Sequence, residues 1–183
     1  MLIDASRATL LVIDVQEKLI GAVSDPAGTL ARTRWLLAAT AELGLPTVIS
    51  EQYPKGLGHT VAELLETAPG AQVVEKLHFS CVAGECLPAS LLDREQVIVC
   101  GMETHVCVLQ TVLELLEAGK QVFVVADACD SRSVDSKATG LARMQGAGAQ
   151  IVTREMVLFE LMRSSSHDKF RSISKTFLVG EQP

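Results

Sequence analysis

The sequence predicts an α/β protein in which a parallel sheet is covered by helices on both faces. Short apolar runs of strand length alternate with longer segments whose apolar residues recur at helical spacing. This alternation, repeated along the chain, is typical of a parallel sheet. Charged residues end several of the apolar runs, and open α/β sheets bind ligands at the carboxyl ends of their strands. The pattern therefore indicates both a fold class and the edge where function is expected.

Six strands and six helices account for most of the chain. The apolar runs predict strands at residues 8–14, 46–50, 72–76, 96–100, 121–125 and 150–153. Helical spacing predicts helices at residues 27–43, 60–66, 86–92, 105–118, 134–146 and 167–176. Asp25 with Pro26 and Ser133 supply helix start signals. Gly44 and Gly119 supply stop signals.

Length and composition predict a single domain spanning residues 1–183. The chain has no tract rich in Pro, Gly or Ser and no shift in composition that would divide it. Its apolar runs are too short for a transmembrane helix, and Asp4 and Arg7 interrupt the N-terminus, which argues against a signal peptide. We therefore expect a cytoplasmic protein with no membrane association.

The net charge and the hydrophobic content indicate which partners to expect. A net charge of −6 without a basic block disfavours nucleic acid, so the predicted partners are small molecules and other copies of the chain. A hydrophobic content of 48% predicts at least a dimer.

The cysteines are odd in number and lack CxxC spacing. This pattern predicts reduced thiols rather than a disulfide framework or a metal clip at Cys81, Cys86, Cys100, Cys107 and Cys129.

Cys107 is the strongest candidate for a catalytic group. It follows an apolar strand pattern through a short turn and opens a helical pattern that ends at Gly119. Unpaired N–H groups and the positive end of the helix dipole favour a thiolate at such a position. The competing interpretation is a buried packing residue, since free cysteine is commonly buried.

Asp14 and Lys76 lie at two further strand ends, on the same predicted edge as Cys107. A carboxylate there could accept the thiol proton, and an ammonium group could favour the thiolate. The local alternatives are a helix N-cap for Asp14 and a solvated strand-end lysine for Lys76.

Three segments resemble the signature segments of the isochorismatase-like cysteine hydrolases. They are Val12-Ile13-Asp14-Val15-Gln16, Glu75-Lys76-Leu77-His78-Phe79-Ser80 and Gly101-Met102-Glu103-Thr104-His105-Val106-Cys107. Residues 51–58 and 127–133 are also similar to the subgroup called isochorismatase domain-containing proteins. The resemblance spans nearly the whole chain, and the order and spacing of the segments make it specific.

This resemblance implies a three-layer α/β/α fold with a six-stranded, mostly parallel sheet in the order 3-2-1-4-5-6. It also implies a catalytic triad in which Cys107 is the nucleophile, Asp14 the base and Lys76 the electrostatic support. A non-proline cis peptide between Met102 and Glu103 is implied as well, with N–H groups of Glu103 and Cys107 forming an oxyanion hole.

The sequence departs from the zinc-dependent nicotinamidases of this superfamily. Where those enzymes carry an Asp-x-His pair, this chain reads Ser50-Glu51-Gln52-Tyr53, and His59 stands alone. We therefore expect no metal and no other cofactor. The predicted substrate-binding residues lie in or beside the matched segments: Gln16, Tyr53, Phe79 and Thr104.

These observations predict a metal-independent cysteine hydrolase that cleaves a small amide-like C–N bond through a thioester. One alternative is a vinyl-ether hydrolase of the isochorismate type, which would not require the cysteine nucleophile. Others are a binding or scaffold protein that retains the fold, and a redox-sensing protein oxidised at Cys107 or Cys129.

Overall fold

A computed structural model describes residues 1–179 and contains one six-stranded parallel sheet. The strand order is β3-β2-β1-β4-β5-β6, which confirms the predicted order. All neighbouring strands run parallel, so their carboxyl ends share one edge. The strands are β1 (Ala8–Ile13), β2 (Thr47–Gln52), β3 (Gln72–Lys76), β4 (Gln96–Met102), β5 (Gln121–Asp130) and β6 (Gln150–Val152).

Helices connect and flank the strands. They are α1 (Pro26–Glu42), α2 (Pro54–Leu57), α3 (Ala62–Thr67), α4 (Ala89–Leu92), α5 (Leu109–Glu117), α6 (Val134–Gly146), α7 (Arg154–Met162) and α8 (Phe170–Ile173). A 3₁₀ turn covers Ile20–Ala22, and π-helical turns cover Thr104–Val108 and Ser174–Leu178. Within residues 1–179, no helix is both long and apolar enough to cross a membrane.

Every predicted strand is present, but several helical segments differ from the prediction. The four-residue α2 was not predicted, and the segment predicted as a helix at 105–118 begins with a π-helical turn. Helix α7 was not predicted; it starts after β6, where the Thr153 hydroxyl accepts a hydrogen bond from the Met156 N–H and caps it. The segment predicted at 167–176 is the short α8 followed by a π-helical turn. The helix predicted at 86–92 begins only after Pro88, which has extended backbone angles.

The central strands carry the core. Every residue of β1 and β4 is buried, as expected for parallel strands covered on both faces. Trp35 of α1 packs edge-to-face on Phe177, with ring centroids 5.4 Å apart, which ties the C-terminal segment to the core.

The closest approach of β1 and β4 requires a glycine. Gly101 lies beside Ile13 and has a φ of 114°, in the region that favours glycine. A Cβ atom at Gly101 would collide with the backbone of Ile13. Since Asp14 follows Ile13 directly, this contact places the end of β1 against the segment that leads into Cys107.

Candidate active site

Asp14 lies at the carboxyl end of β1 and is fully buried. Its φ of 53° turns the chain sharply after the strand. One carboxylate oxygen, Oδ1, accepts a hydrogen bond from Ser50 Oγ at 2.7 Å. The other, Oδ2, accepts one from Lys76 Nζ at 2.6 Å. Both oxygens are therefore held in place by neighbouring strands.

Lys76 reaches Asp14 across β2, because β2 lies between β1 and β3 in the sheet. Its Nζ also donates to Gln52 Oε1 at 2.8 Å. Ser50 and Gln52 are two residues apart on β2, so their side chains lie on the same face and both support the ion pair. The side chains of Lys76 and Asp14 are almost entirely shielded from solvent.

Cys107 lies in the π-helical turn between β4 and α5 and is 7% exposed. Its thiol lies beside the Asp14 carboxylate and Lys76, close enough for both groups to shift its pKa. The structure thus brings the three residues of the predicted triad together at the carboxyl edge of the sheet.

The resting thiol is not activated, contrary to the expectation from its helix-start position. Burial is the main cause that raises the pKa of Cys107 to about 12, and the negative charge of Asp14 contributes to the increase. The positive charge of Lys76 lowers the pKa by less than these two effects raise it. The free-energy cost of removing a thiolate from water is therefore larger than the stabilisation of the thiolate by the helix start. Cys107 is a protonated thiol at neutral pH, and a base must take its proton when it reacts.

The ion pair supplies that base. Burial raises the pKa of Asp14 above its ordinary value, against the lowering effects of Lys76 and Ser50. Burial also lowers the pKa of Lys76, but attraction to Asp14 and to an ionised Cys107 outweighs this effect, so the pKa of Lys76 is raised. Lys76 stays positive beside a carboxylate that is more basic than usual.

Alkylation should distinguish a resting thiolate from a protonated thiol. Cys86 is half-buried, and a hydrogen bond from Cys81 lowers the pKa of its thiol. We expect brief iodoacetamide treatment near neutral pH to label Cys86 before Cys107, and the Cys107 rate to keep rising through pH 9. Mass mapping over a pH series measures both rates. Cys107 labelling first at neutral pH, with a plateau below pH 9, would contradict the protonated resting state.

The peptide bond between Met102 and Glu103 is cis, as the resemblance implied. The Glu103 side chain is held by Arg132, which follows β5. Arg132 Nη2 donates to Oε1 at 2.5 Å, while its Nε and its backbone N–H donate to Oε2, each at 3.0 Å. Hydrogen bonding to Arg132 lowers the pKa of Glu103 despite its burial, so Glu103 is ionised and fixes the start of the Cys107 turn.

Two predicted substrate-binding residues, Gln16 and Thr104, are hydrogen-bonded to backbone groups in the interior. Gln16 is fully buried; its Nε2 donates to the carbonyls of Gln52 and Gly58, and its Oε1 accepts from the Gln52 N–H. Thr104 is also fully buried, and its Oγ1 donates to the Asp130 carbonyl at 2.9 Å. Their polar groups are engaged by backbone in the interior, so direct contact with a substrate is not supported for either residue.

An open cleft of about 530 Å³ lies at the ends of β2 and β3 and reaches Lys76. Tyr53 lines it and is 50% exposed, which fits the predicted position at the rim. Phe79 is 53% exposed but is not part of the cleft lining. Of the four predicted substrate-binding residues, only Tyr53 therefore lies on this cleft.

His59 pairs with a carboxylate rather than with other potential metal ligands. Its Nδ1 lies 2.9 Å from Glu51 Oε2, and Glu51 also accepts a hydrogen bond from the Thr60 N–H. In residues 1–179, His, Cys, Asp and Glu side chains do not gather in groups of three suited to a metal ion. Independence from a metal stays a prediction.

Sequence reasoning missed the residues that support the triad from β2 and β5. Ser50 and Gln52 contact Asp14 and Lys76, and Arg132 holds Glu103. The run of three polar residues that ends β2, Ser50-Glu51-Gln52, was the available signal for Ser50 and Gln52. Arg132 lies in a segment that was matched to the family, but nothing in the sequence indicated its partner.

Comparison with known proteins identifies the family. Residues 8–156 match the model of the Isochorismatase domain family. The chain belongs to the isochorismatase family. Isochorismatase domain-containing protein 2A of Mus musculus is 40% identical over 169 residues, covering 91% of this chain and 80% of that protein. The secreted isochorismatase effector Isc1 of Phytophthora sojae is 37% identical over 174 residues, covering 92% of this chain and 83% of that protein.

Solved structures support the same assignment. A structure described as MAR1 ribonuclease from Caenorhabditis elegans has a TM-score of 0.92 and 37% identity, covering 100% of this chain and 95% of that chain. YcaC from Pseudomonas aeruginosa, with hexane-2,5-diol and covalent acrylamide, has a TM-score of 0.86 and 28% identity, covering 97% of this chain and 92% of that chain. YcaC from Escherichia coli, described as an octameric hydrolase, has a TM-score of 0.88 and 26% identity, covering 97% and 91%.

These findings confirm the family resemblance and the fold. The protein is an isochorismatase-family hydrolase.

Proposed function

We propose that this isochorismatase-family protein is a cysteine hydrolase that cleaves small amide-like substrates through a thioester on Cys107. One observation carries the proposal: the Cys107 thiol lies beside a buried carboxylate that is itself paired with Lys76. A nucleophile, a base within hydrogen-bond reach and a group that orients the base are the arrangement that nucleophilic catalysis requires.

Acylation begins from the protonated thiol. As Cys107 Sγ attacks the substrate carbonyl carbon, its proton passes to Asp14, and the carbonyl oxygen takes up negative charge. The raised pKa of Asp14 makes it a better proton acceptor than an ordinary aspartate. The tetrahedral intermediate then collapses: the C–N bond breaks, Asp14 returns the proton to the leaving nitrogen, and the acyl group remains on sulfur.

Water completes the cycle. Asp14 accepts a proton from water as the water oxygen attacks the thioester carbonyl, and the C–S bond then breaks. The departing sulfur takes the proton back from Asp14, which restores the thiol and releases a carboxylic acid. Lys76 keeps its proton throughout and fixes Asp14 in place with Gln52. The backbone N–H groups of Glu103 and Cys107 are the proposed donors to the oxyanion.

The covalent acrylamide described for the Pseudomonas aeruginosa relative supports this proposal. Acrylamide is a small amide that is also an electrophile, and thiols attack electrophiles of this kind. It is evidence for a reactive nucleophile in that protein, and the shared family extends the expectation to this chain.

Ribonuclease activity, named for the Caenorhabditis elegans structure, is less well supported here. The net charge of −6 provides no basic face for a phosphate backbone. Small-molecule turnover fits a buried triad, in which Cys107 is 7% exposed, better than cleavage of a polynucleotide does.

We further propose that the protein is oligomeric, cytoplasmic and independent of metals. Assembly into a dimer or a larger oligomer is supported by the octameric relative from Escherichia coli. A cytoplasmic location is proposed from the sequence, although one relative is described as a secreted effector. We also propose that turnover needs no metal or other cofactor and survives treatment with a chelator.

Changing Asp14→Asn should slow turnover about a hundredfold or more, because asparagine cannot accept the thiol proton. The wild-type rate should fall as pH drops through a value above the ordinary aspartate pKa of 3.8, since burial raises the pKa of Asp14 and only its ionised form is a base. Steady-state kcat/KM over a panel of small amides and esters, measured as a function of pH, tests both expectations.

Asp168→Asn is the matched control, since Asp168 is exposed and lies far along the chain from the triad. Equal rates for the wild type and Asp14→Asn, with Asp168→Asn also unchanged, would contradict base catalysis by Asp14. Hydrolysis of a vinyl ether with no turnover of any amide or ester would favour the isochorismate-type alternative, in which Asp14 acts as an acid.

A further inference from the structure

Cys81 and Cys86 lie at opposite ends of a closed turn between β3 and α4. The Cys86 N–H donates to the Cys81 carbonyl at 3.3 Å, and the Cys86 thiol donates to the same oxygen at 3.4 Å. Within the turn, the Gly84 N–H donates to the Ser80 carbonyl and Glu85 has a φ of 48°. These contacts hold the two cysteine residues next to each other although five positions separate them.

The two thiols differ in exposure and in acidity. Cys81 is fully buried, whereas Cys86 is half-buried and reachable from solvent. A hydrogen bond between the thiols lowers the pKa of Cys86, and the same bond with burial raises the pKa of Cys81 well above its ordinary value. The positive charge of Lys76 acts on both thiols. Such a pair has one thiol suited to attack and one suited to resolve.

The turn also contacts the active site. A Cβ atom placed on Gly84 would lie 3.3 Å from Lys76 Cβ, so the turn packs directly on the triad lysine. On its other side, Ser80 Oγ and the Ala83 N–H both donate to Glu114 Oε2 of α5, the helix that continues from Cys107. The Cys81 N–H donates to Thr111 Oγ1 in the same helix.

We propose that Cys81 and Cys86 form a redox-active pair that a hydroperoxide converts to an intramolecular disulfide. Cys86 sulfur attacks the peroxide oxygen; the O–O bond breaks, an alcohol or water leaves, and Cys86 becomes a sulfenic acid. Cys81 sulfur then attacks the Cys86 sulfur, the S–O bond breaks, and water leaves with the Cys81 proton. Two thiols lose two electrons in total, and the peroxide gains them.

The pair is distinct from the catalytic cysteine. Burial and the negative charge of Asp14 keep the Cys107 thiol protonated, so it is a poor target for peroxide in the resting state. Cys100 and Cys129 are fully buried, and burial raises the pKa of each thiol. Oxidation at the pair would therefore precede oxidation at the other cysteines, and the disulfide would form beside Lys76.

The test treats the full-length reduced protein with hydrogen peroxide, blocks the remaining thiols and digests it with a protease that cleaves after glutamate. Cleavage after Glu85 separates the two cysteines. We expect two peptides joined by a reducible bond, with the protein still of single-chain mass. In Cys81→Ser, a sulfenic acid on Cys86 should persist and be trapped by dimedone. Cys86→Ser should give neither product, and Cys100→Ser, the matched control, should behave as the wild type does.

Several results would overturn the proposal. The first is oxidation of Cys107 or Cys129 before Cys81 and Cys86. The second is wild-type protein in which Cys86 is oxidised without a disulfide to Cys81. The third is a disulfide that joins two chains. Near-UV circular dichroism establishes that each variant is folded before oxidation. If a serine variant fails that check, the linked peptides in the wild type still decide the matter. Since the readout is a mass, the result is independent of whether the protein hydrolyses amides.

Discussion

Cys107→Ala should remove amide and ester turnover almost completely, with a loss on the order of 10⁴-fold or more in kcat. The variant lacks the sulfur that would carry the acyl group, so only binding and the surrounding donors remain. Alanine is smaller than cysteine and fits the site, and the Asp14–Lys76 pair does not depend on the thiol. The fold should therefore be retained, and thermal unfolding measures that directly.

Cys100→Ala is the matched control for this change. Cys100 is buried in β4, on the strand that leads to the Cys107 turn, but it has no contact with the ion pair. It should keep close to full activity. A Cys107→Ala enzyme with normal turnover, combined with an inactive Asp14→Asn enzyme, would contradict the thioester mechanism. Acid catalysis by Asp14 on a vinyl ether would then explain the data better.

Lys76→Met should destabilise the fold by about 3–5 kcal/mol at neutral pH, because it leaves the Asp14 carboxylate buried without its cation. The unpaired carboxylate has an even higher folded pKa than in the wild type, so the folded state binds a proton that the unfolded state releases. The deficit should therefore shrink as pH falls through that raised pKa. Acylation should also slow, since Asp14 would be neutral and misplaced. Urea unfolding at several pH values measures the deficit.

The double variant Asp14→Asn/Lys76→Met separates pairing from packing. It removes both charges, so it should recover part of the stability lost in Lys76→Met. Lys55→Met, at an exposed position, is the surface control and should unfold as the wild type does. A deficit that is independent of pH, and equal in the single and double variants, would show that lost packing rather than an unpaired charge is responsible.

The sheet was predictable because its signal is local. Buried parallel strands are short apolar runs, and all six are present near the predicted positions. Helix α7 was missed because its sequence, Arg154–Met162, mixes charged and apolar residues without a clear apolar face, and it depends on the Thr153 cap. The strand order came from the resemblance, since periodicity alone does not order strands.

Parts of the site were predictable for a similar reason. Asp14, Lys76 and Cys107 each follow a strand, and parallel strands bring their ends to one edge. The protonation state of Cys107 was not predictable, because it depends on burial and on the distance to Asp14 rather than on a helix start. The backbone contacts of Gln16 and Thr104 were not predictable, because a polar residue in a signature segment can bind the backbone of its neighbours as well as a ligand. Their contact with a substrate stays a prediction.

The pairing of Cys81 with Cys86 was also not predictable from the sequence. Their spacing fits no common motif, and it suggested at most a metal clip. Only the closed turn between Cys81 and Cys86, fixed to α5 through Glu114, brings the two residues next to each other. Such contacts depend on tertiary packing that a local pattern does not encode.

The thioester itself is the most direct test of the catalytic account. Wild-type protein is mixed with a substrate that it turns over, quenched in acid within a fraction of one turnover, and digested for peptide mass mapping. The account predicts the substrate's acyl mass on the peptide that contains Cys107, with no such mass in Cys107→Ala. Turnover with no acyl mass on Cys107 at any quench time, or an acyl group on another cysteine, would contradict it.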